Sequence, residues 1–372
     1  MGEWVETTLG DFIAFRRGHD LPQRERRDGG VPVVGSGGIT GYHDTAVVKG
    51  PGITVGRAAN LGVPVLIKED FWPLNTTLYV TDFKGNDIRF TYYMLRMLDL
   101  SGFNSGSVQP MLNRNYIKNF PIRAPLPAEQ QAIAAVLGAL DDKIAVNERI
   151  AEATRSLGMA QFRAAVDMSS TEHDVASVSA VLVRGVTPRY SDEPDALTVL
   201  NQKCIRGGRV SLGPARRTLG GRVPNNKLLQ HGDVLVNSTG VGTLGRVARW
   251  TGEEKCTVDS HVTIVRFDET KVDLVCAGFA MLAAQAEIER LGEGSTGQTE
   301  LSRAKLGDFR ITLPNSSSCR LLSPKLQALE ARGDAALREN QTLAQLRDTL
   351  LPKLMSGELR VRDAEKMVED AT

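Results

Sequence analysis

Residues 125–162, PLPAEQQAIAAVLGALDDKIAVNERIAEATRSLGMAQF, constrain this chain more than any other stretch. Pro127 suits a first helical turn, where its missing N–H is no loss, and Glu129 sets negative charge at the positive end of the helix dipole. Behind them Ile133, Leu137, Leu140, Ile144, Asn147, Ala151 and Thr154 recur at alternating steps of four and three. That spacing is the seam of a coiled coil. About 35 residues at ~1.5 Å each predict a rod of roughly 50 Å, too long and too narrowly apolar for an ordinary core helix. Such a rod needs a partner. A second helical pattern opens at Ser323-Pro324 and ends near Gly357, with Leu322, Leu326, Leu329, Ala336, Leu343 and Leu350 as its stripe.

Ahead of each helix the texture is glycine-rich with short β-branched runs. Residues 30–34, 52–55, 63–67 and 77–80 form the first set; 196–200, 233–236, 245–250 and 261–265 form the second. Short runs between Gly, Asp and Pro clusters predict many short strands. Each set is followed late by a helical segment, residues 90–98 and 276–290. The two halves repeat one another. Arg17-Gly18 echoes Arg184-Gly185, and Gly52 to Val55 echoes Gly232 to Leu235. Gln109, Leu112 and Phe120 match Gln298, Leu301 and Phe309 at an offset of 189; Asn147, Ile150 and Leu157 match Asn340, Leu343 and Leu350 at 193.

The expected fold is therefore α+β. Two strand-rich domains are separated by two long antiparallel helices that form a coiled-coil spacer, under a pseudo-two-fold repeat. The expected boundaries are residues 1–124, helix 125–165, residues 166–320, helix 321–358 and a tail, 359–372. Leu137, Leu140, Ile144 and Asn147 are expected to pair with Leu329, Asn340 and Leu343, the two equivalent asparagines facing each other and fixing register. Pro352 interrupts the second helical pattern and should bend or end that helix near Leu350.

Catalytic signatures are absent from the sequence: no Walker A motif, no HExxH, and no Asn/Asp-Pro-Pro-aromatic motif of an amino-methyltransferase. Four cysteines without CxxC spacing point to neither a zinc site nor a disulfide framework. Residues 240–245, GVGTLG, fit GxGxxG, but the following RVARW alternates as a strand where a dinucleotide fold requires a helix. The expected structure is a glycine-rich turn that brings Ser238, Thr239 and Thr243 close to a ligand surface. Asp259, Ser260 and His261 would alternate faces if they lay on one strand, so a catalytic trio is not expected. The start of the chain has no basic-then-apolar leader and no run of 18 apolar residues occurs, which predicts a cytoplasmic protein with no membrane span.

The formal charge is only +1, yet its distribution is uneven. Lys203, Arg206, Arg209, Arg216, Arg217, Arg222 and Lys227 fall in residues 196–232, which contain no acid. Arg16, Arg17, Arg24, Arg26 and Arg27 form a mixed cluster in the first half. The plain alternative is a solvated surface neutralised by acids elsewhere. Duplication on a rigid rod favours a groove for nucleic acid, because guanidinium forks suit phosphates and guanine edges, and two like globules suit two half-sites.

At this point the chain resembles the specificity subunits of type I restriction–modification enzymes. Residues 32–42, PVVGSGGITGY, with 71–77, FWPLNTT, resemble a version of that family's first target-recognition domain. Residues 125–150 are similar to its first helix region, and 346–359, LRDTLLPKLMSGEL, to its closing signature. The resemblance implies a non-catalytic reader of double-stranded DNA, each target-recognition domain taking half of a split site, with the helices acting as a ruler. It implies partners: two methyltransferase subunits carrying S-adenosylmethionine, and restriction subunits using ATP and Mg. No cofactor or metal is expected on this chain. Candidate DNA contacts are Arg16, Arg17, Arg24, Arg57 and Gln109 in the first domain. In the second they are Lys203, Arg206, Arg209, Arg216, Arg217, Thr239, Thr243, Arg246 and Gln298. The alternatives are a similar subunit of another methylation-based defence system, a dinucleotide-dependent enzyme and a self-sufficient repressor. Neighbouring genes and cofactor binding by the isolated protein discriminate among them.

Overall fold

A computed structural model describes residues 4–103, 111–292 and 299–370. The chain divides into two compact units, residues 1–146 with 339–372, and residues 147–338. In the first, β1 (Trp4–Thr8), α1 (Leu9–Phe12), β2 (Ala14–Arg17), β3 (Val31–Gly35), β4 (Gly38–His43), β5 (Gly52–Gly56), β6 (Pro64–Ile67), β7 (Trp72–Pro73) and β8 (Thr77–Asp82) precede α2 (Ile88–Met97), α3 (Arg114–Ile117) and β9 (Pro121–Pro125). The sheets run β2-β8-β5-β6, β4-β3-β7 and β1-β9. Helix α4 (Pro127–Met168) starts in this unit and ends in the second.

The second unit repeats the plan. Strands β10 (Ser170–Asp174), β11 (Ser179–Arg184), β12 (Leu197–Leu200), β13 (Ile205–Arg206), β14 (Arg209–Val210), β15 (Arg216–Thr218), β16 (Val234–Asn237), β17 (Val247–Arg249), β18 (Cys256–Val258) and β19 (Val262–Phe267) come first. Helices α5 (Leu274–Ala283), α6 (Gln285–Arg290) and α7 (Arg303–Asp308), then β20 (Arg310–Pro314), follow. Its main sheet, β11-β19-β16-β17, has the order of β2-β8-β5-β6; β15-β12-β18 corresponds to β4-β3-β7, and β10-β20 to β1-β9. In both three-stranded sheets one pairing is parallel and one antiparallel. Strand β5 is buried at every residue, as is β16, which is why both read as unbroken apolar runs without alternation. Equivalent helices open alike: Asp87 caps the N–H of Phe90 in α2, and Asp273 caps that of Cys276 in α5.

The echo of Arg17-Gly18 in Arg184-Gly185 has a steric cause. A Cβ on Gly18 would lie 2.2 Å from the Leu74 carbonyl oxygen, and one on Gly185 2.1 Å from that of Val258. Both N–H groups close the same ladder, on Thr77 O and Val262 O. Gly185→Ala is therefore expected to destabilise the second unit by about 3 kcal/mol, since backbone cannot yield as a side chain does. An unchanged urea midpoint would refute that close approach.

Helix α8 (Ser316–Ser356) starts in the second unit and finishes in the first, where α9 (Val361–Glu369) follows. In the first unit Leu137 and Leu140 of α4 join Leu343, Leu350, Leu351 and Leu354 of α8 in one apolar cluster with Ile53, Val55 and Leu78; Ile144 packs at its margin. The contacts Asp141–Arg347 and Ile144–Asn340 show that the two segments run antiparallel there. Asn340 Nδ2 donates to the Ile144 carbonyl at 3.1 Å. In the second unit Phe162 joins Leu322 and Leu326, while Leu329 is half-buried outside every cluster and Asn147 is buried.

The motifs of the first helix have structural work. Gln130, 1 % exposed, donates to Pro125 O and Asn86 Oδ1 and accepts from the Asp87 N–H. Asp141 accepts from Tyr93 (2.6 Å) and Arg347 (2.7 Å), and Asp142 from Arg89 (2.8 Å) and Lys68 (2.9 Å). These pairs tie α4 to α2, to the loop after β6 and to α8.

Three expectations are corrected. Helix α8 begins at Ser316, ahead of the expected residue 321. It does not end near Leu350 but passes Pro352 to Ser356, capped by Gly357 in the left-handed region. A proline inside a helix costs about 3 kcal/mol, whereas Leu351 and Leu354 on either side of it, 5 % and 0 % exposed, each gain roughly 1.5–3 kcal/mol by burial. The expected tail also holds a helix: α9 packs on the first unit's core through Ala364, Val361 and Val368.

Candidate nucleic-acid interface

In the first unit the fold brings three of the expected arginines together. Arg16 and Arg17 end β2, and Arg57 follows β5, beside the β8 strand that pairs with both. With His19, Asn113 and Arg114 they line a cleft of about 500 Å³. Arg57 is half-buried and donates to the Asn75 carbonyl at 3.3 Å. Burial, and then the neighbouring Arg17 charge, lower its pKa. The nearest acid to Arg17 is Asp20 at 3.8 Å, and both are exposed. Such a cleft presents forked donors to whatever enters it. Arg24 stands elsewhere, on a short 3-10 turn beside Glu25 at 3.6 Å.

In the second unit the basic stretch disperses. The side chains of Lys203 and Arg206 are exposed, without hydrogen bond or ion pair among the described residues. Arg209 turns inward and is half-buried: its guanidinium donates to the Ala151 carbonyl of α4 and lies against Gly333 of α8. Burial lowers its pKa, opposed by the charge of Asp334. Arg206 and Arg209 are cross-strand partners in the short hairpin β13-β14, yet Arg206 is exposed and Arg209 half-buried. Arg217 is exposed yet holds the carbonyls of Pro194 (3.0 Å) and Ala196 (2.9 Å). Arg216 lies 3.4 Å over the ring of Tyr190, an exposed stack held ready by its partner.

The GVGTLG segment is a turn between antiparallel β16 and β17, with Gly240, Gly242 and Gly245 all at positive φ. Arg246 is tied to the Gly242 carbonyl at 2.8 Å, and Thr243 approaches the Thr239 carbonyl at 3.5 Å. Thr239 Oγ1 meets His261 Nδ1 at 2.7 Å. His261 and Ser260 lie in a turn after β18, so the strand alternation expected for them does not apply. The turn bounds a cleft of about 430 Å³ with Leu244, Glu289 and Thr299. Gln109 and Gln298 lie outside the described residues.

His19, Arg114, Tyr190 and His261, none of them among the expected contacts, are brought by the fold beside residues that are; Arg184, also outside that set, pairs with Thr263 of β19. The repeat was the signal for two of them: Arg184 is the echo of Arg17, and Arg114 shares the 189 offset with Arg303. Tyr190 and His261 join their partners only through tertiary contact. Among the described residues no three His, Cys, Asp or Glu side chains gather as metal ligands, and no helix is long and apolar enough to cross a membrane.

Two copies of one sheet frame, offering different side chains at the same place and each closed by parts of two long helices, define a duplicated α+β scaffold. Residues 1–154 match the model of the type I restriction modification DNA specificity domain. Over 145 residues the chain is 27% identical to the type I restriction enzyme EcoprrI specificity subunit of Escherichia coli, a match spanning 37% of this chain and 36% of that relative, about a third of its length. The crystal structure of the type I restriction–modification system S subunit from M. genitalium has the same fold, with a TM-score of 0.65 at 17% identity over 95% of this chain and 96% of that one. The chain is thus similar to the specificity subunits of type I restriction–modification systems, in sequence over its first 154 residues and in fold over nearly its whole length.

Proposed function

We propose that this chain is the DNA-recognition subunit of a type I restriction–modification enzyme in the cytoplasm. Each strand-rich domain takes one half of a split, asymmetric site in double-stranded DNA. The chain performs no chemistry itself; two methyltransferase subunits bring S-adenosylmethionine, and restriction subunits bring ATP-driven cleavage with Mg. Helices α4 and α8, which both units share, set the length of the unread gap and offer surfaces for those partners. The observation that carries the reading is the cleft of Arg16, Arg17 and Arg57, three guanidinium groups converging on one frame of a duplicated fold. Arg216 on Tyr190 supplies a second donor, in the other domain. Phosphate contacts would position the protein and base-edge contacts would specify the sequence.

The test is methylation mapping of the source strain with and without this gene. Deletion should erase one bipartite adenine-methylated motif and leave other modification intact. An unchanged methylation map would overturn the assignment.

A further inference from the structure

The repeat supplies an internal comparison of the two recognition frames. Arg17 pairs with Leu78 and Arg184 with Thr263 in equivalent ladders. The Leu112 N–H bonds Arg57 O, and the Leu301 N–H bonds Ser238 O. Ala58 bridges Met111 as Thr239 bridges Glu300. Asn113 caps α3 and Ser302 caps α7, each followed by an arginine, Arg114 or Arg303. The frames thus match at each of these positions, and their charges do not.

Where the first unit has Arg16, Arg17, Arg57 and Met111, the second has Val183, Arg184, Ser238 and Glu300. In the second unit Arg184 is closed off: its Nη2 lies 2.5 Å from Glu300 Oε1 and 2.9 Å from the Leu301 carbonyl. In the first unit a methionine stands where that acid would be, and two further arginines share the cleft. Like charges gathered around a half-enclosed cavity, with one exposed acid at 3.8 Å, create a field that favours an incoming acceptor.

We propose that the first-unit cleft is an acceptor site for DNA, in which Arg17 and Arg57 donate to closely spaced lone pairs, while the equivalent place in the second unit is filled by its own Glu300. The two half-sites are then read by different chemistry despite one backbone plan. The inference rests on the DNA-recognition function and adds where the cationic reading sits. The acceptors have two sources, the N7 and O6 edge of a guanine or the oxygens of a phosphate.

The test uses the full chain assembled with its methyltransferase subunits, and as probe a duplex carrying the bipartite motif recovered by methylation mapping. Met111→Glu installs the second unit's counter-ion in the first. It is expected to weaken binding by about tenfold to a hundredfold and to reduce the salt slope by about one to two. Met111→Gln, the uncharged control, should bind like the wild type. Replacing guanines of the affected half-site by 7-deazaguanine weakens wild-type binding if a base edge is the acceptor; methylphosphonate linkages do so if a phosphate is. Wild-type affinity and slope in Met111→Glu would overturn the proposal, as would an equal loss in Met111→Gln. A wild-type complex that methylates no bipartite motif would instead sink the DNA-recognition function on which it rests.

Discussion

Exchanging Arg17 and Arg57 together for alanine should erase methylation of the target motif while leaving the protein folded. Both side chains line the cleft from the ends of strands whose backbones are already paired, so their loss removes donors without opening the core. Among the described residues the Arg57 guanidinium donates to the Asn75 carbonyl, at 3.3 Å, a weak tether. A good bidentate contact to a base is worth about 1–3 kcal/mol, and two such losses lower affinity on the order of 10²-fold. Where the contacts are to phosphates instead, the slope of log affinity against log salt should fall by about 0.9 for each. Arg24→Ala, on its separate turn beside Glu25, should change little. Methylation mapping of cells carrying each variant, with binding measured across salt, provides the readout. Wild-type methylation together with a wild-type salt slope in the double variant would remove this cleft from the interface.

The long helix was legible because its signal is local and periodic. Pro127 and Glu129 mark its start, and Leu137 and Leu140 hold the seam positions that the fold buries. What periodicity does not reveal is how a seam is used. In the first unit the same leucines pack on β5 and β8 as well as on α8, so the stripe serves a domain core and a helix pair at once. The strands were legible for a different reason. Runs such as GITV and DVLV are short, β-branched and bounded by glycine, and a strand buried on both faces has few other ways to read. Pro352 misled because its local penalty is outweighed by leucines whose burial depends on distant strands.

The cleft was half legible. Residue type picked out Arg16, Arg17 and Arg57, and the repeat pointed to Arg184, but charge in sequence carries no direction. Arg206 and Arg209 sit three residues apart on a tight hairpin; one is exposed and the other is half-buried against α4. Arg216 and Arg217 are adjacent, yet one stacks on Tyr190 and the other props two carbonyls. A basic run without acids therefore overstated the interface, because its counter-charges and hydrogen-bond partners come from other elements. The reverse holds for Met111, whose meaning emerges only beside Glu300 at the same place in the repeat.

The largest effect on stability should come from Glu330→Ala. Arg249 on β17 is 3 % exposed, and Glu330 on α8 is 16 % exposed; Arg249 Nη1 donates to Glu330 Oε2. Gly278 of α5 leaves the room that the Arg249 stem occupies. Burial pushes the Glu330 carboxyl up, against the pull of Arg249, which marks a pair held well away from water. Deleting the acid strands a guanidinium that already has an unpartnered Nε, and an uncompensated buried charge costs about 3–5 kcal/mol. Exchanging both members, Arg249→Met with Glu330→Leu, should be near neutral or stabilising by about 1–4 kcal/mol, because the desolvation penalty disappears with the charges. Trp250, buried beside Arg249 on the same edge, reports unfolding of the second unit once Trp4 and Trp72 are replaced by phenylalanine. In urea the single variant should lose its Trp250 transition at far lower denaturant than the double variant. If the two unfold alike, the pair carries no buried-charge penalty, and α8 is held to the second domain by its leucines alone.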